Sequence, residues 1–178
     1  MRIKNTEEHF GLISIVFHWV MALLLIGMVI LGLYMTGVPI SAQKLKLYRW
    51  HKEFGILILM LVIVRITWRL SAVNPSLAAL PTWEKLAART VHWLFYLFMF
   101  ALPISGWLIT SAAGLPVSFF GLFLLPNLIP ADENSRLLLE GVHEWLAYGL
   151  IATFCLHVAA ALKHHFINKD DILRRMIS

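Results

Sequence analysis

From Gly11 to Met35 the chain runs for 25 residues without one charged side chain. A helix of that length rises more than the ~30 Å of a bilayer's hydrocarbon layer. In lipid no water is at hand for unpaired backbone groups, so such a run must be helical. Three more runs follow, from about His51 to Leu70 with a strictly apolar centre at Ile56 to Val64, from Val91 to Ala113, and from Gly141 to Lys163. With 60% hydrophobic residues in 178 and a mean hydropathy of +0.76, the chain has more apolar surface than one aqueous core of this size can enclose. The expected fold is therefore all-α, a single domain over 1–178 forming an integral membrane four-helix bundle, with helices near 11–35, 51–70, 91–113 and 141–163.

Between the runs the breaks have local causes. Asn74, Pro75 and Pro81 interrupt the chain before an amphipathic stretch, Trp83 to Thr90, that leads into the third run. Pro103 falls inside that run, where membrane helices tolerate it if neighbours satisfy the freed carbonyl. Leu115 to Pro130 is apolar but cut by Pro116, Pro126 and Pro130, and reads as an interfacial or re-entrant loop. The first run is too long for a signal-peptide core and no A-x-A-like cleavage site follows it, so it is expected to be retained.

Basic residues set the expected orientation. With the N-terminus inside, the inner segments hold ten, Arg2, Lys4, Arg65, Arg69, Lys85, Arg89, Lys163, Lys169, Arg174 and Arg175, against five outside, Lys44, Lys46, Arg49, Lys52 and Arg136. Both termini are thus expected in the cytoplasm. Trp19, Trp50, Trp93, Trp107 and Trp145 near span ends suit interfacial anchoring. The net charge of +5 forms no continuous basic stripe, which argues against nucleic acid as a partner. The single cysteine, Cys155, excludes an intramolecular disulfide, a cysteine-held cluster and a C-x-x-C-H heme attachment.

Polar ionisable residues inside a hydrocarbon span are costly and tend to face the bundle interior. Here they are histidines. His18 and His157 both lie ~10 Å in from the side of the termini, and can meet. His51 and His143 open the second and fourth runs on the opposite side, and can also meet. The 14 residues from His143 to His157 are four turns at the ~3.5-residue period of a left-handed bundle, so both project from one face with a rise of ~21 Å between them. One helix carrying two such histidines, opposed by one on each of two others, is what two bis-imidazole heme irons require. Filled axial positions favour electron transfer over oxygen activation. A zinc or copper transport path is the other chemical reading, but it calls for ligands at intermediate depths, where these runs have none.

Other residues take secondary roles. Arg65, 14 residues after His51, is a candidate partner for a heme propionate, or snorkels to the interface. His92, His164 and His165 near the inner ends of the third and fourth runs are candidates for quinone binding or proton delivery, or are plain interfacial histidines. Lys44, Lys46, Arg49 and Lys52 surround His51 and could attract a small anion, or simply meet lipid phosphates.

The stretch Leu156-His157, Ala160-Ala161-Leu162, His164-His165-Phe166, Lys169-Asp170, Leu173 and Arg175-Met176, together with His18-Trp19, His51-Lys52 and Gly55, Arg65 with Trp68-Arg69, and Pro103 with Gly106, resembles the bacterial cytochrome b561 family of four-helix diheme membrane proteins. The likeness runs through nearly the whole chain. It implies two hemes b, with His18 and His157 matching the ligands of the cytoplasmic heme and His51 and His143 those of the periplasmic one. Members of the family include a superoxide:ubiquinone oxidoreductase, which makes superoxide and ubiquinone the expected substrates in the inner membrane. A cytochrome subunit docked on a larger dehydrogenase or hydrogenase, and a heme-free transport or scaffold protein, are the rival expectations.

Overall fold

The computed structural model describes residues 3–7, 9–73, 75–76 and 81–177. Arg2 and Asn74, used above in the charge balance and as a chain break, lie outside the described residues. Four helices carry the chain back and forth: α1 (Leu12–Gly37), α2 (Ala42–Ser71), α3 (Thr82–Ala112) and α4 (Glu133–Lys163). Each is long and apolar enough to cross a membrane. The first and last described residues lie at one end of the bundle, the terminal end. There Trp68 donates its indole N–H to Ser14 Oγ at 3.0 Å, Lys163 pairs with Glu84 at 2.8 Å, and Trp19 donates to the Met176 carbonyl at 2.7 Å. Asn5 adds a tie, accepting from Gly11 N and donating to the Val73 carbonyl, both at 2.8 Å.

Three helices begin earlier than their apolar runs. α2 starts at Ala42 rather than near His51, α3 at Thr82 rather than Val91, and α4 at Glu133 rather than Gly141. Hydropathy marks only the part that lipid can cover; caps and backbone geometry set where a helix begins. Ser41 accepts from Lys44 N and Asp132 from Ser135 N, and Pro81 immediately precedes α3. His51 and His143 consequently sit in helix interiors instead of opening them. Their backbone is then held by more than a full turn of helix on either side.

The segment between α3 and α4 is more regular than a loop. Strands β1 (Val117–Phe119) and β2 (Phe123–Leu125) pair antiparallel, Val117 opposite Leu125. The turn joining them holds Phe120 at φ 49° and Gly121 at φ 76°, with Leu122 N bonded to the Phe119 carbonyl at 2.9 Å. Two positive φ angles give a turn whose twist matches its strands. A phenylalanine in this region is uncommon, and its ring is held edge-on against Phe54 of α2. Val117 and Leu125 close over Ile56, so the hairpin caps the bundle at the end opposite the termini.

Packing is sequential, α1 on α2, α2 on α3, and α3 on α4. The α3–α4 approach is close because Gly149 has no side chain: a Cβ there would stand 2.8 Å from Phe98 Cζ. Met21, Ile58, Val62, Tyr96 and Met99 form the central core, drawn from α1, α2 and α3. α4 is absent from that cluster, and two of its histidines face α1 and α2, His157 against His18 and His143 against His51.

Candidate functional site

Toward the end carrying the termini, His18 of α1 faces His157 of α4 with ring centres 6.2 Å apart and planes at 52°. Toward the hairpin end, His51 of α2 faces His143 of α4, also at 6.2 Å, with planes at 72°. With metal–nitrogen bonds of ~2.0 Å and ~1.1 Å from each nitrogen to its ring centre, two imidazoles on opposite sides of one metal stand roughly 6.2 Å apart. Both pairs have this spacing, and each bridges helices that do not otherwise pack closely. A flat cofactor ligated from both faces fits that arrangement.

Space around the second pair is kept by small residues. A Cβ on Gly32 of α1 would lie 3.2 Å from His51 Cε1, and one on Gly106 of α3 would lie 3.5 Å from His143 Cε1. Ser105, buried on α3, sits with Oγ 2.8 Å from His143 Nδ1 while its own hydroxyl donates to the Leu102 carbonyl at 2.9 Å. With the hydroxyl proton so committed, Oγ accepts from Nδ1–H, which places the lone pair on Nε2 and leaves it open for a metal. Sequence reading passed over Ser105. The signal was there, a serine two residues after Pro103 on a lipid-crossing run, but which histidine it meets depends on α3–α4 register. His51 Nδ1 is buried without a hydrogen-bond partner among the described residues.

At the first pair the neighbours are charged. Arg65 of α2 approaches His18 Nδ1 at 3.5 Å and has Tyr96 as a further hydrogen-bond partner. No carboxylate among the described residues pairs with it. Arg69 lies over the Tyr96 ring at 5.6 Å. If His18 binds metal through Nε2, its Nδ1 carries hydrogen and cannot accept from a guanidinium, so Arg65 would need another acceptor. A half-buried cation in this position suits an acidic group on the cofactor.

The three remaining candidate histidines separate. His92 of α3 joins the first tier, its ring 5.9 Å from that of His157, beside Phe95. His164 is buried in a polar cluster at the terminal end of the bundle, bonded through Nδ1 to Asp170. His165 stacks edge-on with Phe166 and touches neither tier.

Lys44, Lys46, Arg49 and Lys52 lie on the first three turns of α2 and not on a loop. At ~100° per residue they spread around the helix instead of gathering on the His51 face. Lys44 reaches the Thr36 carbonyl, Lys46 lies over Trp50, and Arg49 stands 3.9 Å from Glu53, a buried carboxylate two residues from His51. Positive charge is present at this end, but it is partly engaged and less focused than the linear sequence suggests.

Comparison with known proteins follows the same lines. The sequence profile of the family described as prokaryotic cytochrome b561 matches residues 9–178. The chain is 40% identical to cytochrome b561 homolog 2 of Escherichia coli strain K12, over 99% of its own length and 95% of that protein. It is 31% identical to cytochrome b561 homolog 1 of the same strain, over 96% and 97% of the two chains. It is 30% identical to the probable superoxide oxidase CybB of Yersinia pestis, again over 96% and 97%. With a profile match from end to end and three relatives aligned over nearly their full length, the chain belongs to the prokaryotic cytochrome b561 family, bacterial membrane proteins of electron transfer whose membership implies heme b.

Proposed function

We propose that the chain holds two hemes b, one between His18 and His157 and one between His51 and His143, and carries electrons from superoxide on the periplasmic side to ubiquinone at the end bearing the termini, which faces the cytoplasm. The observation that carries this reading is the pair of imidazole couples at 6.2 Å, both sharing α4. Their ligating residues are 14 positions apart on that helix, a rise of ~21 Å, so two porphyrins stack without collision.

When bound, each heme supplies a reversible one-electron Fe(III)/Fe(II) couple. The protein does the rest. Ser105 fixes the His143 tautomer, Arg65 beside His18 would hold a propionate, and the core of Met21, Ile58, Val62, Tyr96 and Met99 would keep water out between the tiers. Quinone is placed near the terminal end because the polar groups able to supply protons are there. An apolar groove of about 360 Å³ along the part of α1 nearer the terminal end, lined by Val16, Phe17, Val20 and Leu61, suits a polyprenyl tail. Superoxide as the donor is supported by the likeness to the probable superoxide oxidase of Yersinia pestis and by the net positive first turns of α2.

The test is optical. Purified protein should give a b-type reduced-minus-oxidised spectrum with two hemes per chain, and should form quinol from ubiquinone when superoxide is generated beside it. His157→Ala should remove one heme and His143→Ala the other. Loss of both hemes from a folded single variant refutes the pairing, and a rate equal to that of heme-free protein refutes superoxide as donor.

A further inference from the structure

Outside both imidazole tiers, one buried polar cluster stands at the terminal end of the bundle. Glu84, on the first turn of α3, has a side chain only 10% exposed and faces the end of α4. One carboxylate oxygen accepts from Lys163 Nζ at 2.8 Å, and the other lies 3.9 Å from His164 Nε2. The opposite ring nitrogen of His164, Nδ1, is bonded to Asp170 and approached at 3.2 Å by the Asn168 side-chain amide. The result is a row of carboxylate, imidazole and carboxylate reaching from the buried face of α3 to an aspartate that water can touch. Its construction needs a local departure from α-helix: His164–Asn168 is a π-helical turn, and Lys169 follows at φ 54°, which brings Asp170 back over His164.

We propose that Glu84 and His164 are the proton-loading pair for ubiquinone reduction, a role that rests on the function proposed above. Lys163 holds the carboxylate in place and Asp170 holds the imidazole. Glu84 precedes His92 by eight residues on α3 and His164 follows His157 by seven on α4, so the pair lies ~10–12 Å beyond the His92/His157 level, toward the cytoplasm. A quinone ring between the two levels would have an electron source on one side and a proton source on the other. The balance is simple. Two one-electron oxidations of superoxide to dioxygen supply two electrons, the cytoplasm supplies two protons, and the quinone's two C=O groups become C–OH. Each proton passes from water to the His164 imidazole, then to Glu84 across the 3.9 Å gap, within reach of one bridging water.

A purely structural role is the competing account, since the same contacts pin the tail to α3. The readouts therefore have to separate proton transfer from folding. In heme-loaded protein, stopped-flow reduction of the hemes by dithionite should be unchanged in Glu84→Gln and His164→Gln, while reoxidation by a short-chain ubiquinone should slow roughly a hundredfold per heme-loaded molecule. Glu84→Asp should recover part of the rate, and a solvent deuterium effect should grow in the slow variants. Infrared difference spectra should lose a protonated-carboxyl band in Glu84→Gln. Should Glu84→Gln fail to fold, His164→Gln and Asp170→Asn carry the same comparison. Wild-type reoxidation rates in folded, heme-loaded variants overturn the proton-loading role. Wild-type hemes that quinone does not reoxidise overturn the quinone reading itself and this role with it.

Discussion

Replacing Ser105 by alanine tests the histidine geometry without touching a ligand. In the wild-type protein the Ser105 hydroxyl accepts from His143 Nδ1 at 2.8 Å and donates onward to Leu102, so the imidazole is fixed in one tautomer and one orientation. Losing a buried hydrogen-bond partner costs about 1–3 kcal/mol. The Leu102 carbonyl is itself a hydrogen-bond partner of His143, and can take over part of the bond, which places the cost near the low end. About 1 kcal/mol corresponds to a roughly fivefold weaker heme affinity at the His51/His143 tier, just below the ~10–100-fold range for partners of metal ligands. A weaker Nδ1–H bond also makes the imidazole a poorer donor to ferric iron, so the midpoint potential of that tier should rise, by at most about 40 mV if the whole bond is lost in the oxidised state alone. Heme transfer to apomyoglobin gives the dissociation rate, and a spectroelectrochemical titration separates the two potentials. Unchanged release and unchanged potentials, or changes confined to the His18/His157 tier, would refute the assignment of Ser105 as the partner that orients His143.

Three further outcomes follow from contacts described above. Arg65→Gln removes a guanidinium from beside His18, and since a nearby cation favours the reduced iron, the potential of that tier should fall by tens of millivolts; a rise measured by redox titration contradicts the placement. Gly149→Val puts a side chain where Phe98 Cζ stands 2.8 Å from a Cβ, so the heme-loaded protein should lose about 1–3 kcal/mol in detergent unfolding, and Phe98→Leu should recover part of it. Burial, which would raise the Asp170 carboxyl pKa, is outweighed by its hydrogen bonds from His164 and Ile172 N and by the charges of His164 and Arg175, which hold it below the ordinary 3.8. A depressed carboxyl stabilises the fold above its unfolded value and ceases to as pH falls through its folded one. Hydrogen exchange over residues 170–177 should therefore stay slow from neutral pH down to 3.8 and quicken only below it; quickening near neutral pH would mean that the aspartate does not hold the tail.

Much of the architecture could be read from one dimension. Apolar runs separated by prolines determine four membrane helices, since the bilayer leaves a long uncharged segment no other way to satisfy its backbone. The spacing of His143 and His157 on a single helix likewise sets a shared face and a fixed rise, because helical geometry is local. Helix starts were harder to see. Ser41, Pro81 and Asp132 extend α2, α3 and α4 into polar sequence that hydropathy does not mark, and the turn of Phe120 and Gly121 builds a hairpin from a segment that reads as broken.

By itself, then, the order of residues determined membrane insertion, helix number and the two histidine levels, all consequences of interactions along one helix or with lipid. Only the tertiary structure decided that Ser105 meets His143, that His92 joins His157, and that Glu84 meets His164. Those contacts depend on the rotation and axial offset of one helix against another, and these are set by packing such as Phe98 in the notch left by Gly149, between residues far apart in the chain.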